Sequence, residues 1–399
     1  MLHRIVVVGA SLAGLRAAET LRDRGFDGAL TLIGEEPHRP YDRPPLSKQV
    51  LAAEWDPDQI LLRPADDYSS LALDTRIGRR ATALDIDTRV VVLDDGERIS
   101  FDGLVIATGC SPRPLPGTPD AAGIHLLRTL DDSLAIRDAL EATPRVVVVG
   151  AGFIGSEVAA TCRMRGLDVT LLEALPVPLG RALGEEVGAA CAELHHDHGI
   201  DLRVGVAVDG FDGDGRVERV RLSDGSSVDA DLVVIGVGVV PETAWLEGSG
   251  LVLRDGVVCD ASCFTSAPGV VAAGDVARWH NPLFGTDMRV EHWTNAAEQG
   301  VAAARALLAG AGAEPFAPVP YFWSDQYDAK LQFVGVCAPD DEVRIVHGSV
   351  AERRFVALYG RAGRLVGALA LSRPRLLMAY RRLIADRASW ADALVLEPT

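Results

Sequence analysis

Two glycine-rich turns of the same kind carry the clearest chemical signal in this 399-residue sequence. One reads GASLAG at 9–14 and the other reads GAGFIG at 150–155, so their first glycines lie 141 residues apart. Each turn follows a short apolar run and precedes a helical pattern of apolar residues. Glycines let the backbone approach a pyrophosphate, and the helix that follows directs its N–H groups and its positive dipole end at the phosphates. Two complete copies predict a protein that binds two dinucleotides.

An acid follows each turn at the distance expected for a ribose contact. Glu35 comes 26 residues after Gly9, and Glu173 comes 23 residues after Gly150. Such a carboxylate accepts hydrogen bonds from a ribose 2′-OH. No Arg or Lys lies within seven residues of Glu173 to pair with a 2′-phosphate, and Arg181 is the nearest one downstream. The second copy is therefore predicted to prefer NADH over NADPH, which leaves the first copy for FAD.

Seven motifs spread along nearly the whole chain carry a family resemblance. They are RPPLSK (43–48), ATG (107–109), LRTLDD (127–132), GAGFIGSEVA (150–159), AAGD (272–275), VEHWTNAAEQ (290–299) and FWSDQY (322–327). The chain resembles the FAD-dependent ferredoxin reductases of oxygenase systems, which are glutathione-reductase-like flavoproteins. RPPLSK and FWSDQY are the most specific of the seven. The resemblance implies an α/β fold with two Rossmann-like dinucleotide-binding domains and a C-terminal α+β domain.

The resemblance also assigns roles around the FAD. Ala13 would lie under the pyrophosphate, Glu35 would bind the adenosine ribose, and Ala81 would lie against the adenine. Arg128 is a cation expected near the FAD, and Asp275 resembles the acid that binds the ribityl chain. The other motif residues assigned to cofactor binding in this part of the family are Gly9, Ser11, Gly14, Arg43, Ala107, Thr108, Gly109, Gly274 and Trp323, the last at the exposed edge of the flavin.

Four residues match family positions at the reacting centre. Lys48 is one of two lysines among 39 basic residues, and a compact ammonium suits a point donor that stabilises negative charge at flavin N5. Trp293 resembles the residue that covers the flavin, just before a helix predicted from 294 whose N-terminus would face flavin N1 and O2. Glu157 and Glu291 match acids near the nicotinamide carboxamide. The residues expected to contact NADH are Gly150, Gly152, Phe153, Ile154, Gly155, Glu157, Glu173, Gly236, Gly238 and Glu291.

Buried strands and linkers define the elements that must position these residues. Apolar runs at 5–8, 30–33, 104–106 and 270–273 predict one parallel sheet, and those at 146–149, 169–172 and 232–235 predict a second. A proline-rich stretch at 111–119 and a Gly/Pro stretch at 310–320 mark boundaries. Short strands follow at 331–336, 343–346, 355–359 and 365–371, then an arginine-rich helix at about 375–386. The predicted domains are 1–110 with 242–319 for FAD, 111–241 for NADH, and 320–399 for docking a protein partner.

Cysteine usage excludes two related chemistries. The six cysteines are expected to be reduced, structural thiols. None lies in 41–51, where disulfide reductases and peroxidase-type members of the superfamily carry their redox cysteines. Electrons are therefore expected to leave the flavin singly for a protein acceptor. His195, His196 and His198 form a short cluster that we interpret as solvated histidines, and no metal site is predicted.

The charge distribution points to the kind of partner. A formal net charge of −17 disfavours nucleic acids and anionic membranes. Ten arginines against two acids in 343–387 give that segment +8, which leaves −25 for the rest. An acidic [2Fe–2S] ferredoxin is predicted to dock there, through Arg344, Arg373, Arg375, Arg381 and Arg382 among others. No apolar run reaches the roughly 18 residues of a spanning helix, and the N-terminus does not resemble a signal peptide, so a cytoplasmic location is expected.

These inferences converge on one function and leave two alternatives. The main hypothesis is an NADH-dependent ferredoxin reductase whose ferredoxin feeds a haem-thiolate cytochrome monooxygenase or a Rieske-type dioxygenase. One alternative is an NADH-dependent reductase for rubredoxin, or for a nitrite-reductase-like or monodehydroascorbate-type acceptor. The other is a flavoprotein resembling apoptosis-inducing factor, which binds partners in a redox-dependent way.

Overall fold

The chain forms two compact units in the computed structural model, which describes residues 2–396 and all of their side chains except those of 65–67. Unit 1 comprises Met1–Asp42, Asp58–Ser111 and Val240–Pro320, and unit 2 comprises Arg43–Pro57, Pro112–Val239 and Tyr321–Thr399. The chain passes between the units at 111/112, 239/240 and 320/321, whereas the predicted boundaries are 110/111, 241/242 and 319/320. It also passes between them at 42/43 and 57/58, so Arg43–Pro57, which lies inside the predicted domain 1–110, belongs to unit 2. The first and last predicted domains extend beyond the described residues at the two chain ends.

A five-stranded parallel sheet forms the centre of unit 1. Its order is β19-β7-β1-β2-β3, with β1 (Arg4–Val8), β2 (Ala29–Gly34), β3 (Asp74–Ile77), β7 (Gly103–Ile106) and β19 (Val270–Ala272). Residues 5–8 are all buried, as expected of a strand covered on both faces. Helix α1 (Leu12–Asp23) connects β1 to β2, and α6 (Trp293–Ala309) packs against α1. The two helices touch closely, since a side chain at Gly300 would collide with the Ala13 carbonyl.

Two three-stranded sheets complete unit 1. One consists of β4 (Ala81–Asp85), β5 (Val90–Leu93) and β6 (Arg98–Ser100), and the other of β18 (Val257–Cys259), β20 (Ala277–Asn281) and β21 (Thr286–Met288). Both contribute to one apolar core that includes Phe101 and Trp279. Strands β8 (Cys110–Pro112) and β17 (Val239–Pro241) pair with each other at the boundary residues.

Unit 2 repeats the parallel architecture. Its five-stranded sheet has the order β12-β11-β10-β16-β9, with β9 (Ile124–Leu126), β10 (Val146–Val149), β11 (Val169–Glu173), β12 (Asp201–Val204) and β16 (Leu232–Ile235). The helices of this part are α2 (Leu130–Leu140), α3 (Phe153–Met164), α4 (Gly180–Leu183) and α5 (Glu185–Asp197). A small antiparallel sheet is formed by β13 (Val208–Asp212), β14 (Arg219–Leu222) and β15 (Ser227–Asp229).

The C-terminal part of unit 2 is an antiparallel sheet covered by helices. Its order is β22-β23-β26-β25-β24, with β22 (Tyr321–Gln326), β23 (Ala329–Gly335), β24 (Glu342–Ser349), β25 (Arg354–Arg361) and β26 (Arg364–Leu371). Helices α7 (Pro374–Ala385) and α8 (Trp390–Leu394) follow. The four predicted strands correspond to β23–β26 and the arginine-rich helix to α7, whereas β22, which carries the FWSDQY motif, was missed as a strand.

The predicted fold class is confirmed by the described residues, which form two parallel α/β sheets and a C-terminal α+β part. None of the helices within residues 2–396 has the length and apolar character needed to cross a membrane.

Candidate functional site

The two glycine turns have matching backbone geometry, one in each unit. Gly9 and Gly150 have φ of +118° and +99°, a region that residues with a Cβ rarely adopt. A Cβ on Gly14 would collide with the Gly9 carbonyl, and one on Gly155 would collide with the Gly150 carbonyl. The first glycine therefore makes the sharp turn, and the last one lets the helix pack onto the strand.

The helices after these turns begin without side-chain caps. The N-cap residues of α1 and α3 are Ser11 and Gly152, and neither gives its helix a side-chain hydrogen bond. Helix α2 differs, because Thr129 and Asp132 form a complete capping box. A Cβ on Gly152 would meet no atom within 4 Å, so the backbone there is open to a close approach. Uncapped N–H groups at an open helix end suit a pyrophosphate, and both turns fit a dinucleotide.

The two predicted ribose acids differ in how they are held. Oε2 of Glu173 accepts a hydrogen bond from the backbone N–H of Ala151 at 2.8 Å, and Oε1 accepts one from Leu175 at 2.9 Å. Glu173 is thereby fixed at the end of β11 beside its glycine turn. Glu35 directly follows β2 and is exposed, with Oε1 3.6 Å from Nε of Arg80. Both carboxylates retain lone pairs for ribose hydroxyls.

Unit 1 gathers several residues predicted to bind FAD around its glycine turn. A Cβ on Gly9 would collide with the Ala107 carbonyl, and one on Gly274, whose φ is +78°, would lie 3.0 Å from the Ala13 Cβ. The backbone N–H of Gly274 donates to Oε1 of Gln299 at 2.9 Å, a buried partner that the sequence reading missed. The 9–14, 107–109 and 274–275 segments therefore meet at the C-terminal ends of β1, β7 and β19. This edge of a parallel sheet is where such folds bind ligands.

Thr108, Gly109, Ala81 and Asp275 are further residues of unit 1 that are predicted to bind FAD. Thr108 Oγ1 donates to the Glu242 carbonyl at 2.8 Å, and Gly109 has φ of +71°. Ala81 is buried at the start of β4. Asp275 is half-buried in a short 3₁₀ turn, Gly274–Val276.

Trp293 is the first residue of α6, whose N-cap residue His292 gives it no side-chain cap. The indole Nε1 of Trp293 donates to Oδ1 of Asp42 at 2.6 Å. Asp42 is itself fixed, because its backbone N–H donates to the Ile60 carbonyl at 2.7 Å. The indole orientation therefore depends on Asp42, a residue that nothing in its local sequence pattern singled out.

Glu291 precedes α6 and is held by an arginine. Its Oε1 lies 2.6 Å from Nη1 of Arg289. Burial raises the pKa of Glu291 above its ordinary value, and the positive charge of Arg289 opposes that rise. The family motif predicts Glu291 as a site residue, but no local pattern indicates its partner Arg289.

Lys48 and Glu157 form an ion pair within unit 2. Nζ of Lys48 lies 2.7 Å from Oε2 of Glu157, whose side chain is 4% exposed. The same Oε2 accepts a hydrogen bond from Ser47 Oγ at 2.5 Å, and Oε1 accepts one from Ser324 Oγ at 2.8 Å. A buried carboxylate needs this complement of donors. Of the four predicted catalytic residues, Lys48 and Glu157 therefore lie in unit 2, and the other two lie in unit 1. Ser47 and Ser324 also contact Glu157 and were not predicted as site residues.

The remaining predicted residues of unit 2 include both side-chain and backbone contacts. Arg43 Nη1 donates to the Arg128 carbonyl at 2.6 Å, so the two predicted cofactor-binding arginines are connected. Trp323 stacks on Tyr321 with ring centroids 6.0 Å apart. Phe153 lies edge-on to Phe322, with ring centroids 4.6 Å apart.

The rest of the predicted NADH contacts surround the second glycine turn. Ile154 is exposed at the start of α3. Gly236 donates its backbone N–H to the Val149 carbonyl at 2.7 Å, and Gly238 has φ of +102°. A Cβ on Gly150 would lie 2.5 Å from the Gly236 carbonyl, so these two turns are in contact.

The interpretation of the histidine cluster as solvated is wrong for His195. Its side chain is 0% exposed, its Nδ1 lies 2.7 Å from Tyr327 Oη, and its Nε2 lies 3.3 Å from Ser156 Oγ. His198 stacks on the Tyr327 ring with centroids 3.9 Å apart. Burial lowers the pKa of His195 to about 4. No acid or cysteine pattern in the sequence gives this cluster partners, but in the fold Tyr327, at the tip of the β22–β23 hairpin, contacts His195 and His198.

The cysteines among the described residues form no disulfide. Burial raises the pKa of Cys162, Cys191 and Cys263 to about 12 each, and that of Cys337 to about 11. Such thiols are almost entirely protonated at neutral pH and are poor nucleophiles. Within residues 2–396 no group of three or more His, Cys, Asp or Glu is arranged to hold a metal ion.

The arginines of the C-terminal part differ in how far their charge is available. Arg344, Arg353 and Arg361 are paired with Glu342, Glu193 and Asp341 respectively. Arg375 and Arg382 are exposed on α7, with Met378 exposed between them. Arg382 is 86% exposed and lies 3.9 Å from Asp386. Residues 375, 378 and 382 share one helix face by their spacing, and we call this set the α7 face.

Two family models together cover almost the whole chain. Residues 3–300 match the model described as pyridine nucleotide-disulphide oxidoreductase, and residues 321–399 match the model described as reductase C-terminal. Members of the first family use a flavin and NAD(H).

Curated relatives and solved structures are similar over nearly full length. Rhodocoxin reductase of Rhodococcus erythropolis is 37% identical over 96% of this chain and 89% of its own. The ferredoxin–NAD(+) reductase component of an anthranilate 1,2-dioxygenase system, from Burkholderia cepacia, is 37% identical over 99% of this chain and 97% of its own. A crystal structure of the covalent complex of putidaredoxin reductase with putidaredoxin matches with a TM-score of 0.94 and 35% identity, over 99% of this chain and 96% of that one.

Proposed function

Because the chain belongs to the pyridine nucleotide-disulphide oxidoreductases, in their ferredoxin reductase branch, we propose that it passes electrons from NADH through FAD to a [2Fe–2S] ferredoxin. That ferredoxin would serve a haem-thiolate cytochrome monooxygenase or a Rieske-type dioxygenase. FAD, when bound, supplies the conversion of a two-electron hydride donor into two single-electron transfers. The rest of the function depends on what this chain's own residues bind and orient.

The residues of unit 1 would hold the FAD. The uncapped start of α1, at Gly9–Ser11–Gly14, would bind the pyrophosphate, and Glu35 would bind the adenosine ribose. Asp275 would bind the ribityl chain from its 3₁₀ turn, next to Gly274. Trp293, oriented by Asp42, would cover the flavin. The domain that we assign to FAD is 1–110 with 242–319.

The residues of unit 2 would hold NADH, in the domain that we assign to 111–241. The start of α3 is open at Gly152 for the pyrophosphate, and Glu173 would bind the ribose hydroxyls. A fixed carboxylate repels a 2′-phosphate, so NADH is the preferred donor. Glu157 would contact the carboxamide, and Lys48, with which it forms an ion pair, would supply an ammonium that stabilises the negative charge of reduced flavin.

The acceptor is proposed to be a protein that takes one electron at a time. Residues 41–51 contain no cysteine, and the raised pKa values of the buried thiols disfavour disulfide exchange. The exposed arginines of the α7 face, in the proposed docking domain at 320–399, complement an acidic ferredoxin. The reduced thiols and the NADH use that we propose also favour the cytoplasmic location that we propose.

The observation that carries this proposal is the pair of uncapped glycine-turn helices, each followed by an acid. The test begins with the visible spectrum of the purified protein and its anaerobic titration with NADH. Rapid bleaching with one equivalent of NADH, followed by multiple turnovers with [2Fe–2S] ferredoxin and few with rubredoxin, supports the function. Preference for rubredoxin would overturn the choice of acceptor. Slow reduction with a long-lived charge-transfer band would instead favour a redox-dependent binding protein.

A further inference from the structure

The guanidinium of Arg289 joins four separate segments of unit 1. Its side chain is 10% exposed, and Nη2 lies 3.1 Å from Oδ1 of Asp255. Its Nη1 lies 2.6 Å from Oε1 of Glu291, 3.2 Å from the Asp275 carbonyl and 3.3 Å from Cys110 Sγ. One buried side chain therefore contacts residues at 110, 255, 275 and 291.

Three of these four segments carry residues to which we assign cofactor contacts. Cys110 directly follows the ATG motif, Asp275 is the proposed ribityl ligand, and Glu291 is a proposed nicotinamide ligand. Asp255, whose side chain is 55% exposed, has no such assignment. The planar fork of a guanidinium can contact an acid on one side and a carbonyl with a second acid on the other. A lysine ammonium, a point donor on a flexible stem, reaches fewer of these groups at once.

The charges around Arg289 show why a cation is needed here. Asp255 and Asp275 contribute negative potential at the Glu291 carboxyl, and Arg289 is the positive group that offsets them. Burial is the largest cause that raises the pKa of Glu291, and the charges of Asp275 and Asp255 raise it further. Without Arg289, Glu291 would take up a proton at a higher pH.

We propose that Arg289 is a positioning residue, which fixes the Asp275 turn for FAD and holds Glu291 ionised and oriented for the nicotinamide. This proposal rests on the proposed function, which assigns FAD to Asp275 and the nicotinamide to Glu291. It assigns to Arg289 no contact with substrate or cofactor.

A simple structural ion pair with Asp255 is the competing explanation, and the chain offers a matched control for it. Nη1 of Arg278 pairs with the other oxygen of the same carboxylate, Asp255 Oδ2, at 3.2 Å. Arg278→Gln therefore removes an ion pair to Asp255 and leaves the contacts of Arg289 to Asp275 and Glu291 in place. An effect that appears both in the Arg289 variants and in Arg278→Gln would result from the loss of an ion pair to Asp255.

The first experiment measures FAD affinity, by stripping the flavin and titrating it back with fluorescence quenching as the readout. Hydrogen bonds that involve a charged group contribute roughly 1.5–3 kcal/mol, which is about a 10- to 150-fold change in a dissociation constant. We expect Arg289→Gln to weaken FAD binding by at least tenfold, Arg289→Lys to recover part of the loss, and Arg278→Gln to stay within about threefold of wild type. Equal losses in Arg289→Gln and Arg278→Gln would overturn the proposal.

The second experiment follows kcat/KM for NADH against pH with ferricyanide as acceptor, in FAD-saturated protein. We expect the acid limb to move up by about one pH unit in Arg289→Gln and to stay in place in Arg289→Lys and Arg278→Gln. In a Glu291→Gln background the Arg289→Gln shift should vanish. A limb that does not move in Arg289→Gln contradicts the role assigned to its charge.

Failure of this inference differs from failure of the proposed function. Wild-type protein that binds no FAD, or is not reduced by NADH, disproves the function. Normal wild-type behaviour with indistinguishable Arg289 and Arg278 variants disproves only the positioning role. If Arg289→Gln does not fold, Arg289→Lys and the Glu291→Gln background keep both measurements available.

Discussion

The ammonium of Lys48 lies 2.7 Å from Oε2 of Glu157, which is 109 residues further along the chain. Lys48 follows the 3₁₀ turn Pro44–Ser47, and Glu157 lies in the second turn of α3. The pair connects the RPPLSK motif to the helix of the second glycine turn. Two serines complete the donors to the carboxylate, so the group is both charged and well satisfied although it is buried.

Removal of Lys48 should cost more than removal of an exposed lysine. Lys48→Met leaves the Glu157 carboxylate buried without its cation, and breaking a buried pair in this way costs roughly 3–5 kcal/mol. The matched control is Lys330→Met, because Lys330 lies 3.4 Å from Asp325 with 48% of its side chain exposed and such pairs contribute about 1 kcal/mol or less. Urea denaturation of both variants measures the difference.

The double variant Lys48→Met/Glu157→Gln separates stability from activity. With both charges removed, stability should largely return, while the rate of flavin reduction by NADH should stay well below wild type because the ammonium of Lys48 and the carboxylate of Glu157 are both missing. Stopped-flow absorbance checks the rate. A double variant that reduces its flavin at the wild-type rate would show that Lys48 serves stability alone.

Ser324→Ala should destabilise the protein by roughly 1.5–3 kcal/mol, because its hydroxyl donates to a buried carboxylate. Ser226→Ala is the control, since Ser226 Oγ donates to Asp224 at 2.7 Å on an exposed turn and water can replace that bond. Unfolding midpoints of the two variants in urea provide the comparison. Equal midpoints would mean that Ser324 is dispensable to Glu157.

Glu173→Ala should reduce the preference for NADH. The carboxylate is held by Ala151 and Leu175 in a position to accept hydrogen bonds from ribose hydroxyls, and its loss also removes a repulsive charge against a 2′-phosphate. We expect the ratio of kcat/KM for NADH to that for NADPH to fall at least tenfold. Steady-state kinetics with ferricyanide measure this ratio, and Glu173→Gln should show a smaller change. A ratio unaltered in both variants would place cofactor selection elsewhere.

Reversing the charge of the α7 face should weaken ferredoxin turnover selectively. In Arg375→Glu/Arg382→Glu we expect the KM for ferredoxin at low salt to rise at least tenfold and to depend less on ionic strength. Ferricyanide reduction should be unchanged. Arg219→Glu reverses an exposed arginine on β14 and serves as the control. If both variants alter ferredoxin KM alike, net charge rather than docking explains the effect.

The pH dependence of stability should report on His195. Burial lowers its pKa in the folded protein to about 4, from 6.5, so the unfolded chain binds a proton that the folded chain does not between these pH values. The contribution of His195 to the free energy of unfolding is therefore fully present above pH 6.5 and is lost as the pH falls towards 4. At pH 5 the loss from this group is about 2 kcal/mol.

His195→Asn should remove that share of the loss. Urea denaturation at pH 7.5 and pH 5 checks it, with the pH difference in the variant about 2 kcal/mol smaller than in wild type. His292, whose pKa burial also lowers to about 4, keeps its own contribution in both proteins. An identical pH difference in the two would mean that His195 is protonated in the fold.

Local patterns predicted the central strands of both parallel sheets and both glycine turns, because strand burial and turn chemistry depend on a few neighbouring residues. The edge strands β3, β9 and β12 carry weaker patterns and were not predicted. The contacts that complete the site join distant segments and leave no local signal. Glu157 and Lys48 were each recognised, yet nothing in the sequence pairs them. Arg289 and Asp42 were missed because their importance arises only from what they touch.

Ion pairs formed in the fold also change what the net charge of residues 343–387 implies. Arg344 was included in the predicted docking set, but Glu342, which pairs with it, lies one residue outside the segment that was counted. His195 was predicted to be solvated because no acid or cysteine pattern nearby supplies a partner, whereas its side chain lies between Ser156 and Tyr327, which are distant in the sequence. The sequence shows which residues are charged and where apolar residues recur, whereas the fold determines which side chains are exposed to water.

Two lysines among 39 basic residues make this protein a simple substrate for amine acylation. Lys330 is half exposed, whereas 13% of the Lys48 side chain is exposed and its ammonium is bound to Glu157. Of the two lysines, an acylating reagent meets Lys330 first, and it reaches Lys48 only while the buried pair is open. The rate of the slow phase of labelling therefore measures local opening of the Lys48–Glu157 pair. The measurement uses the unmodified chain and needs no introduced probe.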